Sequence, residues 1–91
     1  MMSSNQFEKV DEGIFEMINK FFESRFMRLI GASFRKADNT VMVRVSLEGR
    51  DTYGKGKEQN QRVNEALRVP FMEEVGSKIN AKELIINTRP R

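Results

Sequence analysis

The chain has 91 residues, enough for one domain with its own hydrophobic core and too few for a second. Apolar residues make up 38% and charged residues 32%, a balance typical of a folded protein rather than a disordered one. The formal net charge is +3, and the sequence contains neither cysteine nor histidine. These absences exclude disulfides, a thiolate nucleophile and a zinc–thiolate site, and they remove the commonest general base.

No metal or cofactor is predicted, because histidine and cysteine, the ligands that most metal sites use, are missing. No run of 18 apolar residues is long enough to span a membrane, and the first residues lack the basic and apolar regions of a secretory signal. We therefore expect a cytoplasmic protein that is not an enzyme and does not enter a membrane.

The first predicted element is a long helix over residues 7–29. Asn5 and Glu8 have the spacing of a capping box at its start, and Gly31 is expected to end it. The apolar side chains recur at spacings of three and four, as on one face of a helix: Phe7, Val10, Ile14, Met17, Ile18 and Phe21.

A β-hairpin is predicted next, with strands at residues 30–36 and 40–48. Asp38 and Asn39 between the two runs suit a tight turn with a positive backbone φ. The second run has the period of two of a half-buried strand, because polar or flexible side chains separate four apolar ones: Val41, Val43, Val45 and Leu47.

A second helix is predicted over residues 58–75 and a last strand over residues 83–88. Pro70 should kink or divide this helix, because proline removes a backbone donor and clashes with the preceding turn. The predicted fold is α+β in the order α-β-β-α-β, a three-stranded, largely antiparallel sheet with both helices on one face. Residues 1–6 are expected to be a disordered tail, and residues 89–91 a basic one.

The loop over residues 49–57 comes close to a nucleotide-binding P-loop. The spacing Gly-x4-Gly-Lys is present at Gly49, Gly54 and Lys55, after a strand and before a helix. Gly56 stands where such loops need a serine or threonine to hold magnesium, and the last strand ends without the carboxylate that would complete the metal site. Nucleotide hydrolysis is therefore not expected.

The same loop is a candidate site for phosphate groups. Basic side chains lie beside glycines, whose backbone N–H groups are accessible, and the helix that follows adds its positive end. Tyr53 could stack on a base. The predicted nucleic-acid contacts are Arg50, Tyr53, Lys55, Lys57 and Arg62 at the loop, with Arg35 and Arg44 across the sheet and Arg89 and Arg91 in the tail. The alternative is a solvated connection whose charges only maintain solubility.

The first helix carries an apolar face wider than docking onto a sheet requires. Phe15, Phe22 and Phe26 lie at one margin of this face. They are predicted to form an interface with a second copy or with a target protein, unless the second helix and the sheet cover them completely.

Two functions remain open from the sequence. The leading hypothesis is a small non-enzymatic module that contacts DNA or RNA phosphates through its basic loop and sheet face. The alternative is a protein-binding adaptor, inhibitor or structural subunit that assembles through the first helix. A homodimer or a protein target at that helix is expected, and a homodimer is compatible with either function.

Overall fold

The computed structural model describes residues 6–47 and 57–89. These residues form four strands and two α-helices, the second of which continues into a π-helical turn. In chain order the elements are β1 (Glu8–Lys9), α1 (Glu12–Glu23), β2 (Met27–Arg35), β3 (Thr40–Leu47), α2 (Lys57–Phe71), the π-helical turn (Met72–Gly76) and β4 (Glu83–Arg89). The predicted α+β class is confirmed, and the short strand β1 was not predicted.

The sheet has four strands in the order β1-β2-β3-β4. The first two pairs are antiparallel, whereas β3 and β4 run parallel over seven register positions, from Thr40 opposite Glu83 to Ser46 opposite Arg89. The predicted three-stranded, largely antiparallel sheet is therefore wrong in its strand number and in the direction of the last pair. A parallel pair needs a crossover connection, and α2 carries the chain from the end of β3 back to the beginning of β4.

Helix α1 is about half as long as the predicted helix over residues 7–29. Asp11 is the N-cap, since its Oδ1 accepts a hydrogen bond of 2.8 Å from the backbone N–H of Ile14. The helix ends at Glu23, and Phe26 then takes a left-handed φ of 61° that turns the chain into β2. Gly31, predicted to end the helix, lies inside β2.

The predicted hairpin is confirmed as β2 and β3, and its turn contains Asn39 with a φ of 54°. A β-bulge interrupts the pairing, because Leu29 lies opposite Val45 while Gly31 lies opposite the next residue, Arg44. Ile30 is the additional residue, and the inward and outward alternation of β2 resumes after it.

The predicted second helix agrees closely with α2 and the π-helical turn together. The α-helix continues through Pro70 to Phe71, and the wider π-helical turn follows immediately. Proline leaves the carbonyl of Ala66 without its usual donor four residues on, so the change of geometry at this point has a local cause.

Both helices pack on one face of the sheet and enclose a single core. Phe71 of α2 contacts the rings of Phe21 and Phe22 of α1, at centroid distances of 5.2 and 6.0 Å. The strands contribute the side chains that alternate inward, namely Met27, Leu29, Ala32, Val41, Val43, Val45, Leu84 and Ile86. No described helix covers the opposite face of the sheet. Within the described ranges, none of the helices is both long enough and apolar enough to cross a bilayer.

Candidate functional site: the open face of the sheet

The uncovered face of the sheet is made of side chains that alternate with the core residues of β2, β3 and β4. They are polar or basic, with apolar positions between them. The outward positions are Arg28, Ile30, Gly31, Ser33 and Arg35 on β2, Met42, Arg44 and Ser46 on β3, and Glu83, Ile85, Asn87 and Arg89 on β4. We call this surface the open face.

Three exposed arginines converge at one end of the open face. Arg28, Ser46 and Arg89 occupy one register row across β2, β3 and β4. Arg44 lies on the central strand in the adjacent row, opposite Gly31 and Asn87. With strands about 4.8 Å apart and about 3.3 Å per residue, the three arginine Cα atoms lie within about 10 Å of one another.

These three arginines differ from the other described arginines in having no ion pair within the described residues. Of the seven arginines in those ranges, four are paired: Arg25 with Glu74, Arg35 with Asp38, Arg62 with Glu58, and Arg68 with Glu83. The unpaired ones are Arg28, Arg44 and Arg89, and we call them the arginine cluster.

Arg35, a predicted contact residue, lies on the open face at the hairpin end, where its charge is neutralised. Its guanidinium donates hydrogen bonds of 3.1 and 2.8 Å to the carboxylate of Asp38 and lies 4.6 Å from the ring centroid of Phe7. The hydrogen bond from Arg35, aided by one from Thr40, lowers the pKa of Asp38 to about 2, and the same contact raises the pKa of Arg35. Arg35 is therefore less available to an anion than the arginine cluster.

The remaining predicted contacts are divided between α2 and parts of the chain outside the described residues. Arg62 lies on α2, behind the sheet, and pairs with Glu58, while Lys57 is exposed at the first position of the same helix. The predictions for Arg50, Tyr53, Lys55 and Arg91 fall outside the described residues. The loop that carries the first three leaves β3 after Leu47, which lies opposite Met27 at the arginine-cluster end of the sheet.

The three phenylalanines predicted at an interface have very different environments. Phe22 is fully buried against Phe21 and Phe71, so its assignment to a surface was wrong. Phe15 is half-buried and packs against the core. Phe26 lies beyond the end of α1 and is 80% exposed, which leaves a large apolar ring in solvent.

Arg28 belongs to the arginine cluster and was missed as a site residue, because residues 7–29 were predicted as one helix. The signal that would have found it is the alternation of buried Met27 and Leu29 around exposed Arg28, a strand period in a stretch assigned to a helix. Arg89 was predicted to belong to a basic tail, whereas it is the last residue of β4.

Comparison with protein-family models, with curated proteins and with solved structures finds no match to this chain.

Proposed function

We propose that this protein is a small, non-enzymatic binding module that contacts nucleic-acid phosphates through the open face of its sheet. The observation that carries the proposal is the arginine cluster, three exposed guanidinium groups on one flat surface without ion pairs in the described part of the chain. Guanidinium groups present planar sets of donors that match phosphate oxygens, and they keep their charge at any physiological pH.

The neighbours of the arginine cluster suit a polyanion. Ser33, Ser46 and Asn87 add neutral hydrogen-bonding groups to the same surface. Glu83 is the acidic residue at an outward position of β4, and its carboxylate is already paired with Arg68. The cluster therefore has no carboxylate beside it, among the described residues of these strands, that would repel phosphate.

The basic loop over residues 49–57 extends this proposal. Its predicted contacts Arg50, Lys55 and Lys57 would add positive charge near the arginine cluster, because the chain enters the loop at the end of the sheet where the cluster lies. Tyr53 in the same loop would supply a ring on which a base can stack.

Little base discrimination is expected from this surface. Its apolar outward positions, Ile30, Met42 and Ile85, carry no hydrogen-bonding groups and no aromatic rings. Phosphate contacts fix position and supply affinity, but they carry no information about base sequence. Binding should therefore be electrostatic, salt-sensitive and similar on unrelated sequences.

A matched pair of double variants tests the proposal. Arg44→Gln with Arg89→Gln removes two unpaired charges from the open face, and Lys20→Gln with Arg62→Gln removes two exposed charges from α1 and α2, behind the sheet. Both variants lose the same net charge, so only the position of the charge differs. Anisotropy titrations would use short labelled single-stranded and duplex DNA and RNA at several salt concentrations.

We expect the open-face variant to bind about tenfold more weakly or worse on every sequence, and the variant of the two helices to bind nearly as tightly as the wild type. On single strands, the log–log salt slope of the open-face variant should be shallower by about 1.4, because each phosphate that is no longer neutralised reduces the slope by about 0.7. Equal losses of affinity in the two variants would show that net charge alone matters. Absence of wild-type binding at about 50 mM salt would overturn the proposal.

The rival function, assembly with another protein, draws support from a different observation. Phe26 exposes most of its apolar ring to solvent, and contact with a partner protein would bury this ring. Capture of a protein partner by a chain that binds no nucleic acid would favour that function instead.

A further inference from the structure

Both long edges of the sheet carry backbone groups that must find partners. At the β4 edge, the Asn64 side chain donates a hydrogen bond of 2.8 Å to the carbonyl of Ile86 and accepts one of 2.8 Å from its N–H. The Asn60 side chain accepts one of 2.7 Å from the N–H of Thr88. These two asparagines of α2 occupy the edge of β4 as a neighbouring strand would, and they leave little of it for another chain.

The opposite edge of the sheet is only partly closed. Strand β1 pairs with Ser33 and Phe34 of β2, and the N–H of Val10 donates to the carbonyl of Ala32 before the chain turns into α1. From Met27 to Gly31, β2 has no strand on this side within the described residues. We call this stretch the bare edge.

A groove runs along the bare edge between β2 and α1. Phe15, Asn19 and Glu23 line it from the helix, and Phe26, Met27, Arg28 and Leu29 line it from the strand side. Phe26 carries two costs in an isolated chain, since its ring is 80% exposed and its φ of 61° is unfavourable for a bulky residue. Burial of this ring by a partner would offset both.

We infer that the bare edge is where a second copy of this chain docks, by antiparallel pairing of the two β2 strands about a two-fold axis. Two-fold pairing joins the same stretch of both chains and so uses it up, and self-association closes as a dimer rather than growing into a filament. Head-to-tail growth through the β4 edge would have to displace the hydrogen bonds of Asn64 to the backbone of Ile86 and of Asn60 to the N–H of Thr88.

The charges of the groove favour a copy of itself over a strongly charged partner. Glu23 and Arg28 are both exposed, carry opposite charges and have no ion pair within the described residues. A two-fold axis brings Glu23 of each copy toward Arg28 of the other. A polyanion in the groove would instead be repelled by Glu23, and a polycation by Arg28. The bulge at Ile30 confines regular pairing to a short stretch, so the Phe26 rings should supply much of the contact.

This arrangement has a consequence for the open face. Antiparallel neighbours in a sheet are related by an axis perpendicular to it, so the two open faces would lie on the same side of one continuous sheet. The dimer would then present Arg44 and Arg89 of both copies to one ligand, while Arg28 faces Glu23 of the other copy. This consequence rests on the proposed function, whereas the docking itself does not.

The mass in solution is the first test, measured by sedimentation equilibrium without nucleic acid. We expect a mass near twice 10.6 kDa at micromolar concentration. Phe26→Asn should weaken the dimer at least tenfold without lowering the stability of the monomer, because asparagine tolerates the left-handed conformation. The control is Val69→Asn, which replaces another exposed apolar residue, 63% exposed on α2, and should leave the mass unchanged.

Cross-linking supplies a second test, since the chain has no cysteine of its own. Ile30 and Ile85 are both isoleucines on the open face with 38% exposure, but Ile30 lies within the bare edge and Ile85 lies on β4. Under mild oxidation, Ile30→Cys should form a disulfide-linked dimer much faster than Ile85→Cys. Equal rates, or faster linking through Ile85→Cys, would place the contact elsewhere and overturn the inference.

The two proposals fail separately. A wild-type chain that stays monomeric at high concentration and still binds DNA or RNA would overturn the docking and leave the proposed function standing. A dimer that binds no nucleic acid would do the reverse.

Discussion

Single aromatic side chains decide how tightly the two helices are held against the sheet. Phe71 is fully buried, and its ring meets that of Phe21 edge-on and that of Phe22 at a tilt of 33°. Such ring pairs add to the stability gained from burial alone. Phe15 lies on the other flank of α1 and is only half-buried.

Phe71→Ala should therefore destabilise the fold by about 3–5 kcal/mol, because removal of a fully buried ring leaves a cavity. Phe15→Ala should cost clearly less, since much of its ring already meets solvent. Urea unfolding of both variants at the same protein concentration measures the difference. Equal losses of stability would mean that the flank of α1 is as much a part of the core as Phe71 is.

The surface ion pair between Arg35 and Asp38 at the hairpin makes the stability of the fold depend on pH in the acid range. The pKa of Asp38 in the folded chain is about 2, below its ordinary value of 3.8, because Arg35 and Thr40 hydrogen-bond the carboxylate. A carboxyl with a lowered folded-state pKa stabilises the fold above its unfolded pKa and loses that contribution as the pH falls through its folded pKa.

Asp38→Asn should therefore reduce the loss of stability between about pH 4 and about pH 2. Unfolding midpoints measured across this window, for the wild type and the variant, give the comparison. Glu16→Gln is the control, because Glu16 is an exposed carboxylate of α1 with no ion pair in the described residues. A variant curve parallel to the wild type down to about pH 2 would contradict the expectation.

At the scale of elements, α2 acts as the crossover between the parallel strands and also closes the edge of β4. The side chain of Asn64 makes a pair of hydrogen bonds to the backbone of Ile86, and Asn60 reaches Thr88 one turn earlier on the helix. These contacts fix α2 against β4 by directional bonds in addition to the burial of Val63 and Leu67.

Asn64→Ala should destabilise the protein by about 2 kcal/mol, because it removes both hydrogen bonds to the backbone of Ile86 and a third to the carbonyl of Asn60, and leaves the Ile86 groups without protein partners. Gln61→Ala on the same helix is the matched control, since Gln61 is exposed and bonds only to Glu65 among the described residues. Thermal melts measure stability, and light scattering would detect self-association through the opened edge. A loss of stability no larger than that of the control would show that the asparagine contacts contribute little.

At the scale of the whole molecule, the loop over residues 49–57 follows β3 and precedes α2. Helix α2 in turn leads to β4, which runs parallel to β3. A P-loop enzyme also needs a parallel sheet, and the parallel pairing of β3 with β4 does not argue against one. Two grounds against nucleotide hydrolysis stay: Gly56 replaces the magnesium-binding serine or threonine, and β4 ends in Asn87, Thr88 and Arg89 without a carboxylate.

We therefore expect no release of phosphate from ATP or GTP with magnesium above a protein-free control. A colorimetric phosphate assay over a long incubation is sufficient to detect even slow turnover, and the proposed function requires none. Lys55→Ala identifies a contaminant, since background activity should survive this substitution. Turnover that Lys55→Ala abolishes would contradict the non-enzymatic proposal.

Some features of the fold could be predicted from the sequence because they depend only on residues close together in the chain. The alternation of valines in β3, the positive φ at Asn39 and the helical spacing around Leu67 each depend on neighbours within a few positions. The outward position of Arg44 was found in the same way, because its place between the buried valines follows from the period of two.

Other features were decided only by the tertiary structure. A period of two does not say which strand lies alongside or in which direction, so the parallel pairing of β4 was missed. The first helix was predicted too long, because its end was placed at Gly31 and the short strand period from Met27 to Leu29 was overlooked, and Arg28 was misplaced with it. Which arginines remain unpaired depends in part on side chains from distant parts of the chain, since Arg25 pairs with Glu74 and Arg68 with Glu83, and spacing in the sequence does not reveal those pairs.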